Sequence, residues 1–147
     1  MSNRFCCRDV CLPLDRTYIM GILNVTPDSF SDGGVFLEPS KAIAHALEME
    51  RQGADIIDIG GQSTRPGHQK ISPQEEILRL KPVFEALQGR LSIPLSVDTY
   101  YPEVAECALA LGAAIVNDVG SVVSSEMASV VKRYRAGWII TDTAGDD

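Results

Sequence analysis

Hydrogen-bonding side chains stand where several apolar runs of this 147-residue chain end. The run Ile19–Leu23 stops at Asn24, after which a dense polar loop begins. Later runs carry or precede further polar residues at the same kind of position. The full set is Asn24, Asp58, Asp98, Asn117 and Asp142. In parallel α/β folds, ligands bind at the carboxyl ends of the strands, so these residues form a candidate binding site.

The elements that must position these residues alternate regularly between strand and helix. Buried apolar runs predict five strands, and amphipathic stripes or helix-start signals predict four helices between them. The strands are predicted at Tyr18–Leu23, Asp55–Ile59, Pro94–Val97, Ala114–Asn117 and Trp138–Thr141, and the helices at Pro39–Gln52, from the N-cap Ser72 through Leu87, Pro102–Leu111 and Glu126–Tyr134. Pro73 and Glu75 fit the first helical position and a capping box, whereas Pro82 predicts a kink.

Apolar strands alternating with amphipathic helices are typical of a parallel sheet covered by helices. The fold class predicted is therefore α/β. A short N-terminal strand or hairpin is expected to precede the sheet.

Four motifs resemble the signatures of dihydropteroate synthase. The stretch 19–34 reads IMGILNVTPDSFSDGG, and 53–67 reads GADIIDIGGQSTRPG. The shorter matches are LSVDT at 95–99 and IVND at 115–118. The resemblance covers most of the chain up to about residue 120. It implies the N-terminal half of a (β/α)8 TIM barrel, and 1–147 as a single pterin-binding domain that is C-terminally truncated.

The resemblance also implies a reaction. The amine of p-aminobenzoate displaces diphosphate from 6-hydroxymethyl-7,8-dihydropterin diphosphate and forms 7,8-dihydropteroate, in folate biosynthesis. The family needs no covalent intermediate, so catalysis rests on orientation and on stabilising the departing charge. Sulfonamides target the family, and its full-length members are expected to be homodimers.

Roles for individual residues follow from the same resemblance. Asp98 and Asn117 would bind the pterin ring, since a carboxylate accepts two donors while an amide both donates and accepts. Catalysis would involve Asp32, Thr64 and Arg65; p-aminobenzoate would contact Phe30, Arg65 and Pro66; Asn24 would hold Mg²⁺ on the diphosphate. Three simpler alternatives remain open: Asp98 as a helix cap, Asn117 as a turn residue, and Arg65 as a solvated loop charge.

Some residues depart from the family pattern. Gln62 stands where the family usually has Glu, and Thr141-Asp142 stands where it usually has Met-His. A carboxylate at position 142 would repel a diphosphate. The family draws a further Asp, a Lys and an Arg/His anion site from the second half of its barrel, so weak activity or none is expected of these 147 residues alone.

Two other functions compete with the synthase. One is a pterin-binding module like that of corrinoid-dependent methyltransferases, which share the strand-end Asp and Asn but lack the loop Ser63–Gly67. The other is an inert remnant. The loop favours the synthase.

Composition limits partners and location. The formal net charge of −7 argues against a nucleic-acid footprint or a polybasic membrane patch. No apolar run approaches a membrane span, and the N-terminus does not read as a signal peptide, so a cytoplasmic protein acting on small molecules is expected. The cysteines are Cys6, Cys7, Cys11 and Cys107. The first three could suggest a metal site, but no His or further Cys follows at ligand spacing, so they are predicted to be free thiols on the N-terminal strand or hairpin.

Overall fold

A computed structural model describes residues 3–25, 39–62, 70–120 and 122–141. Within these ranges the elements follow one another as β1 Arg4–Cys7, β2 Val10–Pro13, β3 Met20–Asn24, α1 Pro39–Arg51, β4 Ile56–Gly60, α2 Pro73–Leu87, β5 Leu95–Asp98, α3 Pro102–Ala110, β6 Ile115–Asp118, α4 Ser125–Tyr134 and β7 Gly137–Ile140. None of the helices in this part of the chain is both long and apolar enough to cross a membrane.

Strands β3 to β7 form one parallel sheet in sequence order. Each strand pairs with its predecessor along the chain, and a helix connects each successive pair. This is the order in which a (β/α)8 barrel is built, so the predicted fold class is confirmed. The predicted strand boundaries lie within two residues of those observed.

The main core lies between the sheet and its helices. The buried side chains of this layer include Ile57, Ile59, Val97 and Val116 from the strands, and Phe84 from α2 is fully buried against them. Alternation along each strand turns the intervening residues to the opposite face. That second face carries Asp58, Ser96, Asp98 and Asn117, so the polar residues share one side of the sheet.

The start of helix α2 follows the predicted chemistry in part. The Ser72 hydroxyl accepts a hydrogen bond from the Glu75 backbone N–H at 3.1 Å, as an N-cap should. The Glu75 side chain does not close a capping box but pairs with Arg79 instead. Helix α2 continues through Pro82, which is exposed.

The predicted hairpin exists, with β1 and β2 antiparallel and joined by Arg8 and Asp9. It closes the N-terminal end of the sheet, where Cys7 packs with Ile56 and Ile115. A Cβ on Gly137 would lie only 2.5 Å from Cys7 Sγ, so this contact requires glycine. The hairpin therefore rests directly on β7.

The prediction that the three N-terminal cysteines are free thiols is wrong for two of them. Cys6 and Cys11 are directly opposite each other in the hairpin register and are joined by a disulfide, whereas Cys7 and Cys107 are free. Predicting a hairpin does not by itself give this pairing, because the pairing depends on a two-residue loop at Arg8-Asp9.

Candidate functional site at the carboxyl ends of the strands

The polar strand ends lie in one row across the sheet. In the parallel register Asn24 pairs with Gly60, Gly60 with Asp98, and Asp98 with Asn117. Neighbouring strands are about 4.8 Å apart, so Asp98 and Asn117 are adjacent. Both side chains are partly buried and lie on the face opposite the helices. The structure thus brings together the two residues predicted to bind a ring.

The simpler roles considered for this pair do not fit. The N-cap of α3 is Tyr101, which has no side-chain capping bond, so Asp98 does not cap this helix. Asn117 lies within β6, and the neighbouring turn is stabilised by Asp118, whose Oδ1 accepts from the Gly120 N–H at 3.0 Å. Neither capping nor a turn explains Asp98 and Asn117.

Asp58 lies beneath this pair and is only 1% exposed. Its Oδ1 accepts a hydrogen bond from Ser96 Oγ at 2.8 Å, and its Oδ2 accepts one from Asn117 Nδ2 at 3.2 Å. Burial raises the pKa of Asp58, while these two bonds lower it in part. The sequence placed Asp58 among the polar residues of the candidate binding site but did not identify its partners.

Asp98 titrates in an unusual range. Burial, followed by repulsion from Asp58, raises the pKa of Asp98 from 3.8 to about 6. The space beside it depends on Gly60, where an added Cβ would come within 3.3 Å of Asp98 Cβ and Oδ2. The carboxylate therefore lies in a confined, poorly solvated position, which is characteristic of ligand-binding acids.

A second polar cluster, absent from the sequence predictions, lies next to the row. Glu76 of α2 is fully buried, and its Oε2 accepts from Thr99 Oγ1 at 3.2 Å and Gln62 Nε2 at 3.4 Å. Its Oε1 has no hydrogen-bond partner among the described residues. Burial is the largest cause that raises the pKa of Glu76 to about 7. Its spacing four residues before Leu80 on the buried stripe could have revealed it.

This cluster explains why a glutamine fits at position 62, where the family usually has a glutamate. The Gln62 amide donates to Glu76 and is also within hydrogen-bond distance of Tyr100 Oη. A glutamate at position 62 would place a second carboxyl group against Glu76, and two such groups cannot easily both be ionised. With glutamine, the contact is an ordinary donor–acceptor pair.

The other predicted site residues lie outside the described residues. They are Phe30, Asp32, Thr64, Arg65 and Pro66, together with the unusual Asp142. Their predicted roles stay predictions.

Asn24, the predicted magnesium ligand, is exposed at the end of β3. Within the described ranges, no group of three or more His, Cys, Asp or Glu residues could hold a metal ion. A single amide oxygen does fit a Mg²⁺ ion that takes its other ligands from phosphate and water. Asn24 is therefore compatible with a Mg²⁺ ion that arrives bound to the phosphate groups of a substrate.

A large cavity of about 450 Å³ lies at the opposite end of the sheet. It lies between the β1–β2 turn and the loops preceding β5 and β6, and Arg8, Gln88 and Leu109 are among its lining residues. Arg8 is already engaged there, since it donates to the carbonyls of Leu109 and Ala113. The predicted site residues that the structure describes, Asn24, Asp98 and Asn117, do not line this cavity.

Known proteins resemble the chain in both sequence and structure. Dihydropteroate synthases from Clostridium beijerinckii and Bacillus subtilis are each 51% identical over 121 residues, or 82% of this chain. The match spans only 45% and 42% of those relatives, so the chain corresponds to about half their length. The Xanthomonas albilineans dihydropteroate synthase solved with 4-aminobenzoic acid is 44% identical, with a TM-score of 0.86, over 99% of this chain and 54% of that one.

A family-level comparison agrees. Residues 20–147 match the family described as pterin binding enzyme. The match includes all five parallel strands and every residue of the row at their carboxyl ends. The chain therefore belongs to the pterin-binding enzyme family.

Proposed function

We propose that this chain forms the pterin-binding part of a dihydropteroate synthase. The observation that carries the proposal is the adjacent pair Asp98 and Asn117, with Asp58 bonded to the amide from below. A 2-amino-4-oxopterin edge offers adjacent donors and acceptors, which a carboxylate and an amide can satisfy together. Analogues without these groups would leave buried partners unpaired, which gives selectivity.

The relatives support the choice of reaction. Solved dihydropteroate synthases resembling this chain were obtained with 4-aminobenzoic acid and with 7,8-dihydropteroate. Another was solved as a sulfonamide drug complex. The relatives named above all carry the synthase name, which favours this function over a methyltransferase module.

In the proposed reaction, the amine nitrogen of p-aminobenzoate attacks the exocyclic methylene carbon of 6-hydroxymethyl-7,8-dihydropterin diphosphate. The C–N bond forms as the C–O bond to diphosphate breaks, diphosphate leaves with the bonding electrons, and the amine nitrogen releases one proton to solvent. Asp98 and Asn117 hold the ring so that the methylene projects past the strand ends. Asn24 would supply one ligand to Mg²⁺, which when bound neutralises charge on the leaving group.

The remaining roles rest on the resemblance. Asp32, Thr64 and Arg65 are proposed for catalysis, and Phe30 and Pro66 for contact with p-aminobenzoate. We further propose cytoplasmic action and, for the full-length protein, a homodimer.

Binding of 6-hydroxymethyl-7,8-dihydropterin to the purified chain tests the proposal. Calorimetric titration at pH 8 should detect binding, and Asp98→Asn should weaken it at least tenfold, roughly the value of a hydrogen bond to a charged group. Asp55→Asn is the control, because Asp55 lies at the opposite end of the same sheet and pairs with Arg16. No binding by the wild type, or equal loss in both variants, would overturn the proposal.

A further inference from the structure

Asp58 is a buried carboxylate whose cost in stability needs an explanation. It lies on β4, between β3 and β5, and its side chain is only 1% exposed. Within the described ranges it makes no ion pair. Its only bonds there are those from Ser96 and Asn117. An apolar side chain would fill such a position at lower cost, since burying an unpaired carboxylate is strongly unfavourable. The carboxylate must therefore do something other than stabilise the fold.

The bond to Asn117 restricts the amide to one orientation. A carboxylate can only accept, so the amino group of Asn117 must face Asp58. The reverse orientation would place the amide oxygen against Oδ2, with two acceptors in contact. The amide oxygen and the second amino hydrogen are consequently left for the pocket.

We propose that Asp58 is a positioning residue that fixes the donor–acceptor order which Asn117 presents to the pterin ring. The inference rests on the proposed function, because it assumes that Asn117 meets the ring. An amide presents similar shapes in both orientations but opposite hydrogen-bonding patterns. A ring edge that matches one order mismatches the other, so fixing the amide gives both affinity and selectivity.

The same carboxylate acts on Asp98 through its charge. Among the residues that the structure describes, two acidic groups face Asp98: Asp58 from β4 and Glu76 from α2. From β6, the neutral amide of Asn117 lies beside it. Asp98 must be ionised to accept from ring donors, so binding should be lost as the pH falls through the pKa of Asp98, about 6. A neutral residue at position 58 lowers that pKa and moves the loss to lower pH.

The test is calorimetric titration of 6-hydroxymethyl-7,8-dihydropterin from pH 5 to 8 on three proteins: wild type, Asp58→Asn and Ser96→Ala. Asp58→Asn keeps the shape but permits both orientations of Asn117, so binding at pH 8 should weaken about tenfold. The pH below which binding is lost, here called the acid limb, should be lower in Asp58→Asn than in the wild type. Ser96→Ala disturbs the same cluster but keeps the Asp58–Asn117 bond, and should stay within about threefold of the wild type.

Two outcomes would overturn the inference while leaving the proposed function intact. One is unchanged affinity and an unchanged acid limb in Asp58→Asn. The other is an equal loss in Ser96→Ala, which would mean that the cluster acts only by supporting the fold. A wild type that binds no pterin would instead overturn the proposed function.

A second measurement, made on the wild-type chain, isolates the positioning step from ligand binding. The side-chain amide resonances of Asn117 in the wild-type chain should titrate with Asp58, because protonation removes an acceptor from the amino group. Asn117→Asp identifies these resonances by their disappearance. Resonances that do not move from pH 3.5 to 8, while the chain stays folded, would overturn the role assigned to Asp58.

Discussion

Glu76 makes stability depend on pH in a direction opposite to that of a paired surface acid. Its pKa is about 7 in the folded protein and 4.5 for the ordinary side chain. The folded state thus holds the proton more tightly than the unfolded state. The stabilisation is complete below pH 4.5 and is lost as the pH rises to about 7, with a magnitude on the order of 3 kcal/mol.

Glu76→Gln should therefore raise the free energy of unfolding at pH 8 and flatten its dependence on pH between 5 and 8. The glutamine oxygen can still accept from Thr99 and Gln62, while no charge is buried. Chemical denaturation at several pH values measures the effect. Glu75→Gln is the matched control, since Glu75 occupies the same helix turn but is exposed. A parallel pH dependence in Glu76→Gln and the wild type would contradict the assignment.

Gly60 should matter for ligand binding rather than for stability. A Cβ at this position would come within 3.3 Å of Asp98, and the carboxylate would have to move. Gly60→Ala is expected to weaken pterin binding roughly tenfold, comparable to losing a hydrogen bond to a charged group. The measurement is calorimetric titration alongside thermal unfolding.

Gly21→Ala provides the converse case. Its Cβ would lie 2.8 Å from Met49 Sδ on the helix side of the sheet, so it should lower stability and spare the ligand. If both alanine variants changed affinity by the same factor, Gly60 would have no specific link to Asp98.

At the scale of single residues, the sequence points to Asp98 and Asn117 but not to the groups that control them. A strand-end acid is visible in the sequence, whereas the Ser96–Asp58–Asn117 contacts depend on the register of three strands. Glu76 has the sequence pattern of an ordinary acid in a first helical turn. Its position on the buried stripe is a signal, but its partners at 62 and 99 come from other elements.

At the scale of elements, the sequence predicted every helix and strand of the sheet but placed several strand ends one residue early. The observed strands end at Asn24, Gly60, Asp98 and Asp118. Each of these is a polar residue or glycine. A prediction based on hydrophobic pattern does not count such residues as part of a strand, so it ends the strand before them. Backbone pairing continues through them nonetheless, which is how the site residues come to be held by the sheet rather than by loops.

Helix α4 allows the contribution of an N-cap side chain to stability to be measured. Ser124 Oγ accepts from the Met127 N–H at 3.0 Å, whereas the adjacent Ser125 is already within the helix. Ser124→Ala should lower the free energy of unfolding by about 1 kcal/mol. Ser125→Ala should change it by much less, because no backbone donor depends on its hydroxyl. Denaturant titration of both variants compares them, and equal values would contradict the capping role.

At the scale of the whole molecule, the two ends of the sheet differ in their packing and polarity. The N-terminal end is closed by the β1–β2 hairpin, whose Arg8 donates to the carbonyls of Leu109 in the last turn of α3 and of Ala113 in the loop before β6. The carboxyl end carries the polar row and the buried acids. Packing thus secures one end, and the other keeps costly polar groups where a ligand can meet them.

The lateral edges of the sheet lead to the last prediction. Among the described residues, β3 pairs only with β4, and β7 only with β6. Large apolar side chains are exposed on these edge strands, with Ile22 at 51% and Ile140 at 48%. Unpaired edges that carry apolar side chains promote association between chains. A polypeptide of these 147 residues should therefore self-associate at micromolar concentrations.

Sedimentation velocity over a range of concentrations measures this association. The weight-average mass should rise above 15.9 kDa for the wild type, and Ile22→Lys with Ile140→Lys should reduce the rise by placing charge on both edges. Leu78→Lys is the control: Leu78 is 74% exposed, more than either edge residue, but lies on α2 away from the edges. If Leu78→Lys were as effective as the edge pair, exposed apolar area in general would drive association. A wild type that stays at 15.9 kDa throughout would show that the edges are protected despite their exposed side chains.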